Sequence, residues 1–145
     1  MADELEILLY GSSILRQTCR SVSTFDDELR ELTEAMARSM IRENGIGLAA
    51  PQVGCNLRLL VAQPGRAHGP KVFSFVNPQI VFRSAEQDDF TEGCLSLPDI
   101  TADVRRPVRI KVRYQDLDGN EHGLEDDGLL ARIIQHEADH LEGIL

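Results

Sequence analysis

Near the C-terminal end stands His136-Glu137-Ala138-Asp139-His140, and no other feature of the sequence restricts the fold so tightly. Leu129, Leu130, Ile133, Ile134 and Leu141 recur at helical spacing after the acidic, turn-prone Glu125-Asp126-Asp127-Gly128, which places the five residues on a helix. At about 100° per residue, a four-residue step returns His140 to within roughly 40° of His136, so both imidazoles leave one face and can share a metal ion. Glu137 lies one residue round, beside such an ion, where it can take a proton from water and return it to a leaving group. An open catalytic site needs a third protein ligand. In the extended pattern HExxHxxGxxH, Gly143 fits, but the last histidine would fall one residue beyond Leu145, so the third ligand is expected upstream. The fold must then carry an upstream segment against this helix.

Cys19, Cys55, Cys94, His68, His122 and the carboxylates could supply that ligand. Cys94 alone sits in a suitable segment, Glu92-Gly93-Cys94-Leu95-Ser96, where glycine lets the backbone approach closely and a thiolate binds zinc or iron strongly. Cys19 and Cys55 read as structural. Three cysteines with no CxxC pair argue against a disulfide framework and for a reducing, cytoplasmic setting. The net charge of −9 disfavours nucleic acid and anionic lipid, and no run of about 18 apolar residues or basic leader is present. At 145 residues, 42% hydrophobic and without internal repeats, the chain is expected to form one domain over residues 1–145, acting as a monomer away from membranes.

Phe25, Leu29, Leu32, Met36 and Met40 fall three or four apart, with Asp26, Asp27 and Glu28 in the first turn after Thr24. They predict an amphipathic helix ending at Asn44-Gly45, with glycine taking the left-handed position. Short strands are expected at Leu57 to Ala62 and on either side of Asn77-Pro78. Val108, Ile110, Val112 and Tyr114 alternate with Arg109, Lys111 and Arg113 ahead of an Asp118-Gly119 turn. That pattern is a hairpin with one buried face and one solvated basic face. Helix, strands, helix is an α+β order.

One further segment, Gly45-Ile46-Gly47-Leu48-Ala49-Ala50-Pro51-Gln52-Val53-Gly54, follows the first helix. Its glycines allow another chain to approach, and Gln52 offers an amide N–H to a developing oxyanion. Taken together, GIGLAAPQVG, EGCLS and QHEADHL resemble, in order, the three motifs of the peptide deformylase family.

The resemblance implies mixed and antiparallel strands packed around a central HExxH-bearing helix, with an N-terminal amphipathic helix. It also implies an activity, the hydrolysis of the N-formyl group from formyl-methionyl nascent chains with release of formate. Carried onto this sequence, Cys94, His136 and His140 would hold one divalent ion, Fe(II) favoured over Zn(II), Ni(II) or Co(II), with water or hydroxide as the fourth ligand. Hydroxide would attack the formyl carbon, the Gln52 side chain and the Leu95 backbone N–H would stabilise the oxyanion, and Glu137 would pass the proton to the departing amine. The peptide would lie extended between Gly45-Ile46-Gly47 and the stretch after Leu95, and Ile46, Leu129 and Ile133 would wall the methionine pocket. Glu92 and Arg106 would pair to hold the cysteine loop. The resemblance also brings a transient ribosome contact, which relatives make through an extension after the last helix; here five residues follow His140.

Overall fold

Strand β2 (Leu59–Ala62) is apolar and buried at every position, because both faces of the sheet are covered there. Leu60 and Ala62 pack with Phe75, Ile110 and Val112 against helix α2 (Leu129–Leu141), through Leu130, Ile133, Ile134 and Leu141. Leu59 and Val61 face the opposite way, onto helix α1 (Asp27–Arg42), through Leu29, Met36 and Met40. The sheet is thus a middle layer between two helices. The computed structural model describes residues 5–9, 11–65 and 69–144, so His68 lies outside the described residues.

The larger sheet has the order β1-β2-β3-β6-β7, with β1 (Gly47–Ala49), β3 (Phe73–Arg83), β6 (Ile110–Gln115) and β7 (Glu121–Asp126). A second, two-stranded sheet pairs β4 (Gln87–Cys94) with β5 (Leu97–Pro107). Each pairing of named strands is antiparallel, and among the described residues one parallel bridge, Arg20 with Leu57, supplies the mixed character. In the β6–β7 hairpin Ile110 and Val112 are buried while Arg109, Lys111 and Arg113 are exposed. No helix among the described residues is long and apolar enough to cross a membrane.

Three local details depart from the sequence pattern. Asn77-Pro78 does not separate two strands: β3 runs through it with a register shift between Val76 and Gln79. Asn77 takes a left-handed φ of 50°, and its side chain replaces the lost ladder bonds. Its Oδ1 accepts from Val22 N at 2.7 Å, and its Nδ2 donates to Val22 O and to Gln115 Oε1. At the end of α1, Asn44 and not Gly45 adopts the left-handed conformation, φ 59°. Gly45 is needed for clearance instead, since a Cβ there would stand 2.7 Å from Leu95 Cδ1. Finally, β4 and β5 form a hairpin that the sequence pattern does not mark: the polar cross-strand pairs Asp89–Arg105 and Thr91–Asp103 help to hold it, and the apolar alternation Ile100, Ala102, Val104 is confined to β5.

Candidate active site

Helix α2 starts after Gly128, which has no side chain to cap it. Asp126 takes over, its Oδ2 accepting from Gly128 N and from Ala131 N at 2.9 and 2.8 Å. The helix then presents Leu129, Arg132, Ile133, His136, Glu137 and His140 along one stripe, three or four residues apart. Cys94 reaches this stripe from the end of β4, where the hairpin reverses through Leu95 and Ser96. One ligand atom each from Cys94, His136 and His140 lies within 4.8 Å of the others, and Cys94 Sγ is 3.4 Å from His140 Nε2. Cys19 and Cys55 stand apart as free thiols, their pKa values pushed up by burial.

Glu92 organises the site from behind. Its carboxylate accepts from Arg106 Nε and Nη2 at 2.7 and 2.8 Å, from Arg132 Nη1 at 2.6 Å, and from His136 Nδ1 at 2.9 Å. Burial alone would raise its pKa, but the hydrogen bonds from His136 and the two arginines outweigh burial and hold it well below the usual carboxylate range. An ionised Glu92 only accepts, so His136 Nδ1 carries the hydrogen and Nε2 is the atom left to face the cysteine. Burial disfavours the charged ring, but Cys94, the hydrogen bond to Glu92 and the nearby Glu137 charge outweigh it and raise the His136 pKa to about 10, so Nε2 gives up a proton when it serves as a ligand. Arg106 also donates to Asp139 at 3.0 Å, tying the cysteine strand to the helix once more. The pairing of Glu92 with Arg106 was readable from sequence; the reach of Glu92 to His136 and Arg132 was not.

His136 Nε2 and Glu137 Oε1 are buried without a hydrogen-bond partner among the described residues, as is His140 Nδ1, the ring nitrogen other than the one that faces Cys94. Orphaned polar atoms of this kind are costly. Two imidazoles and a thiol converging on one point form a donor set that a divalent cation satisfies, so these residues fit a metal. Glu137 lies fully inside, its pKa pushed up to about 7, mainly by burial, with Glu92 and Asp139 adding and His136 and Arg106 opposing. Burial, with the charges of His136 and Arg106, lowers His140 to about 4, so its ring is neutral near pH 7.

Gln52 is buried in the short 3-10 turn Ala50–Val53. Its Oε1 accepts from Ala49 N at 2.9 Å, which turns Nε2 towards Ser96 Oγ at 3.2 Å and Cys94 Sγ at 3.5 Å. Ser96 is thus a partner that the sequence did not single out. Gly45, Ile46 and Gly47 form one wall of a cavity of about 500 Å³, Leu95, Leu97 and Pro98 the other, and Glu137 lies between them. Ile46, Leu129 and Ile133 share a narrower cavity of about 50 Å³ with Phe90, Arg132, His136 and Glu137. A Cβ on Gly47 would stand 2.7 Å from Ile133 Cγ2 and 2.8 Å from Glu137 Oε2. Gly47→Ala is therefore expected to destabilise the protein by about 1–3 kcal/mol through overpacking, measured by urea unfolding. An unchanged midpoint would show that the Glu137 carboxylate moves freely.

The polypeptide deformylase family profile matches residues 4–145. Peptide deformylase 2 of Gloeobacter violaceus is 47% identical over 143 residues, 97% of this chain and 76% of that protein. Peptide deformylase of Brucella suis is 44% identical over 96% of this chain and 80% of its own length. Among solved structures, peptide deformylase from Thermotoga maritima superposes with a TM-score of 0.94 at 38% identity, covering 98% of this chain and 94% of that one. A probable peptide deformylase from Synechococcus phage S-SSM7 gives 0.92 at 45% identity, covering 98% and 97%. With sequence and fold agreeing over nearly its whole length, the chain belongs to the peptide deformylase family.

Proposed function

We propose that this protein hydrolyses the N-formyl group of formyl-methionyl nascent polypeptides in a metal-dependent reaction, releasing formate and a free amino terminus. The observation that carries the reading is the convergence of Cys94, His136 and His140, with Cys94 and the buried Glu137 lining the same cleft as Gly45, Ile46 and Gly47. In this reading α2 is the helix around which the sheets are arranged, and α1 supports the strand layer from the other side.

Cys94, His136 and His140 would hold the ion, with Glu92 fixing the His136 ring. When bound, a divalent metal supplies Lewis acidity, polarising a carbonyl oxygen and bringing the pKa of water towards neutrality. Glu137, with a pKa of about 7, is matched to accept a proton from the attacking water and to deliver it to the amine. The Gln52 amide and the Leu95 backbone N–H would donate to the oxygen on which charge develops. The substrate would lie extended along the Gly45-Ile46-Gly47 wall, continuing the edge of the sheet at β1. Its methionine would enter the cavity bounded by Ile46, Leu129 and Ile133.

One thiolate and two imidazoles suit Fe(II), Zn(II), Ni(II) and Co(II); Fe(II) is the ion we favour. The three free cysteines fit work in a reducing compartment, the cytoplasm. Purified protein loaded anaerobically with Fe(II) and given formyl-Met-Ala-Ser is expected to release formate, to stop on chelation and to recover on re-addition of metal. Silence with all four ions would overturn the reading.

A further inference from the structure

We propose that the buried Arg132, with the half-exposed Phe90 ring against it, partitions the side-chain pocket from a neighbouring cavity and sets the longest first side chain the enzyme accepts. This rests on the deformylase reading above. Two cavities meet at this point. The pocket of about 50 Å³ that opens beside His136 and Glu137 shares Phe90, Leu129 and Arg132 with a second cavity of about 200 Å³ on the side of Asp88, Pro107 and Asp127. The residues common to both linings are what keep them apart.

Arg132 stands one helical turn before His136 on the pocket stripe, a position where an apolar residue would be unremarkable. A buried arginine there is tied down on several sides. Its Nη1 donates to Glu92 Oε2 at 2.6 Å and to Val104 O at 3.0 Å. Its Nη2 donates to Asp88 O at 3.0 Å and to Asp88 Oδ1 at 2.7 Å. The Phe90 ring lies against the guanidinium, 5.3 Å from centroid to Cζ. A leucine or isoleucine in this place could change rotamer to admit a longer guest. Arg132 cannot move without breaking bonds to both β4 and β5, so the depth of the pocket is held by the same ion network that orients His136.

The test uses formyl-X-Ala-Ser peptides in which X carries a straight alkyl side chain of four to eight carbons. For the wild type, kcat/KM for formate release is expected to fall about 100-fold or more across the series, a modest loss per added methylene. Arg132→Ala should open the pocket into the second cavity and compress that range to about tenfold. Phe90→Ala should do the same from the other side while keeping the guanidinium and its ion pairs, which covers the case in which the arginine variant does not fold. Parallel length profiles in the wild type and in the folded variants would overturn the partition. Calorimetric binding of the unformylated X-Ala-Ser peptides reads the same length limit without turnover. Absence of formate from every peptide, with a binding limit that the variants relax, would remove the deformylase reading and leave the partition standing. Binding without any length dependence in the wild type would remove the partition.

Discussion

Glu137→Gln is expected to lower formate release by about 10²–10⁴-fold while the protein still binds one metal ion. The substitution keeps shape and removes the titratable proton. Glu137 is buried, with its pKa pushed up to about 7 against an ordinary 4.5. The folded protein therefore binds a proton at this site through a window in which the unfolded chain does not, so that stability falls as pH rises through 7. An amide has no such dependence. In metal-free protein the difference in stability between the glutamine variant and the wild type should thus grow in favour of the variant from below pH 4.5 to above pH 7. A shift of this size corresponds to about 3 kcal/mol. Urea unfolding at several pH values measures it, alongside turnover of formyl-Met-Ala-Ser and metal stoichiometry. Retained turnover would end the acid and base role, and a pH-independent difference would mean that the carboxyl is not titrating from inside.

The second large effect is expected at Glu92. Its side chain is 8% exposed and faces two guanidiniums, Arg106 at 13% and Arg132 at 10%. Glu92→Gln leaves both cations without their shared counter-charge, a change that commonly costs about 3–5 kcal/mol when a buried pair is broken. Asp139 and Asp88 still pair with one arginine each and draw the expected loss to the lower end, about 3 kcal/mol. The neutral amide also no longer fixes the His136 tautomer, and metal affinity should drop about 10–100-fold in a chelator competition. Asp89→Asn, at an exposed pair with Arg105, is the control and should change neither quantity. If Glu92→Gln behaved like Asp89→Asn, the carboxylate would be a surface group in solution and not the organiser of the site.

These two residues also show how far the sequence could be read. Glu137 was legible because helical spacing alone sets it beside His136 and His140. Cys94 was legible as a thiol between residues that allow close approach. The role of Glu92 beyond its pairing with Arg106 was not, because its contacts with Arg132 and His136 span 40 and 44 residues and depend on the β4–β5 hairpin. That hairpin is held partly by ionic and polar cross-strand pairs, and its apolar alternation, Ile100, Ala102 and Val104, is confined to one strand. Arg132 was passed over for a related reason. A charged side chain ordinarily takes a solvated position, whereas the spacing of this one from Leu129, Ile133 and His136 puts it on the pocket stripe. Gln52 was noted as an amide donor, but only the fold shows that Ala49 fixes which way it points.

One element, α2, carries the two histidines that we propose as metal ligands, the proposed acid and base Glu137, and the cavity-lining residues Leu129, Arg132 and Ile133. The groups proposed to act on the reacting bond and those proposed to receive the side chain are therefore spaced along a single rod, with His136 about two turns or roughly 10 Å from Leu129. Sliding or breathing of the sheets against the helix changes how tightly a peptide is held without changing that length. On the proposed function, the substrate is gauged with a ruler cut from one piece.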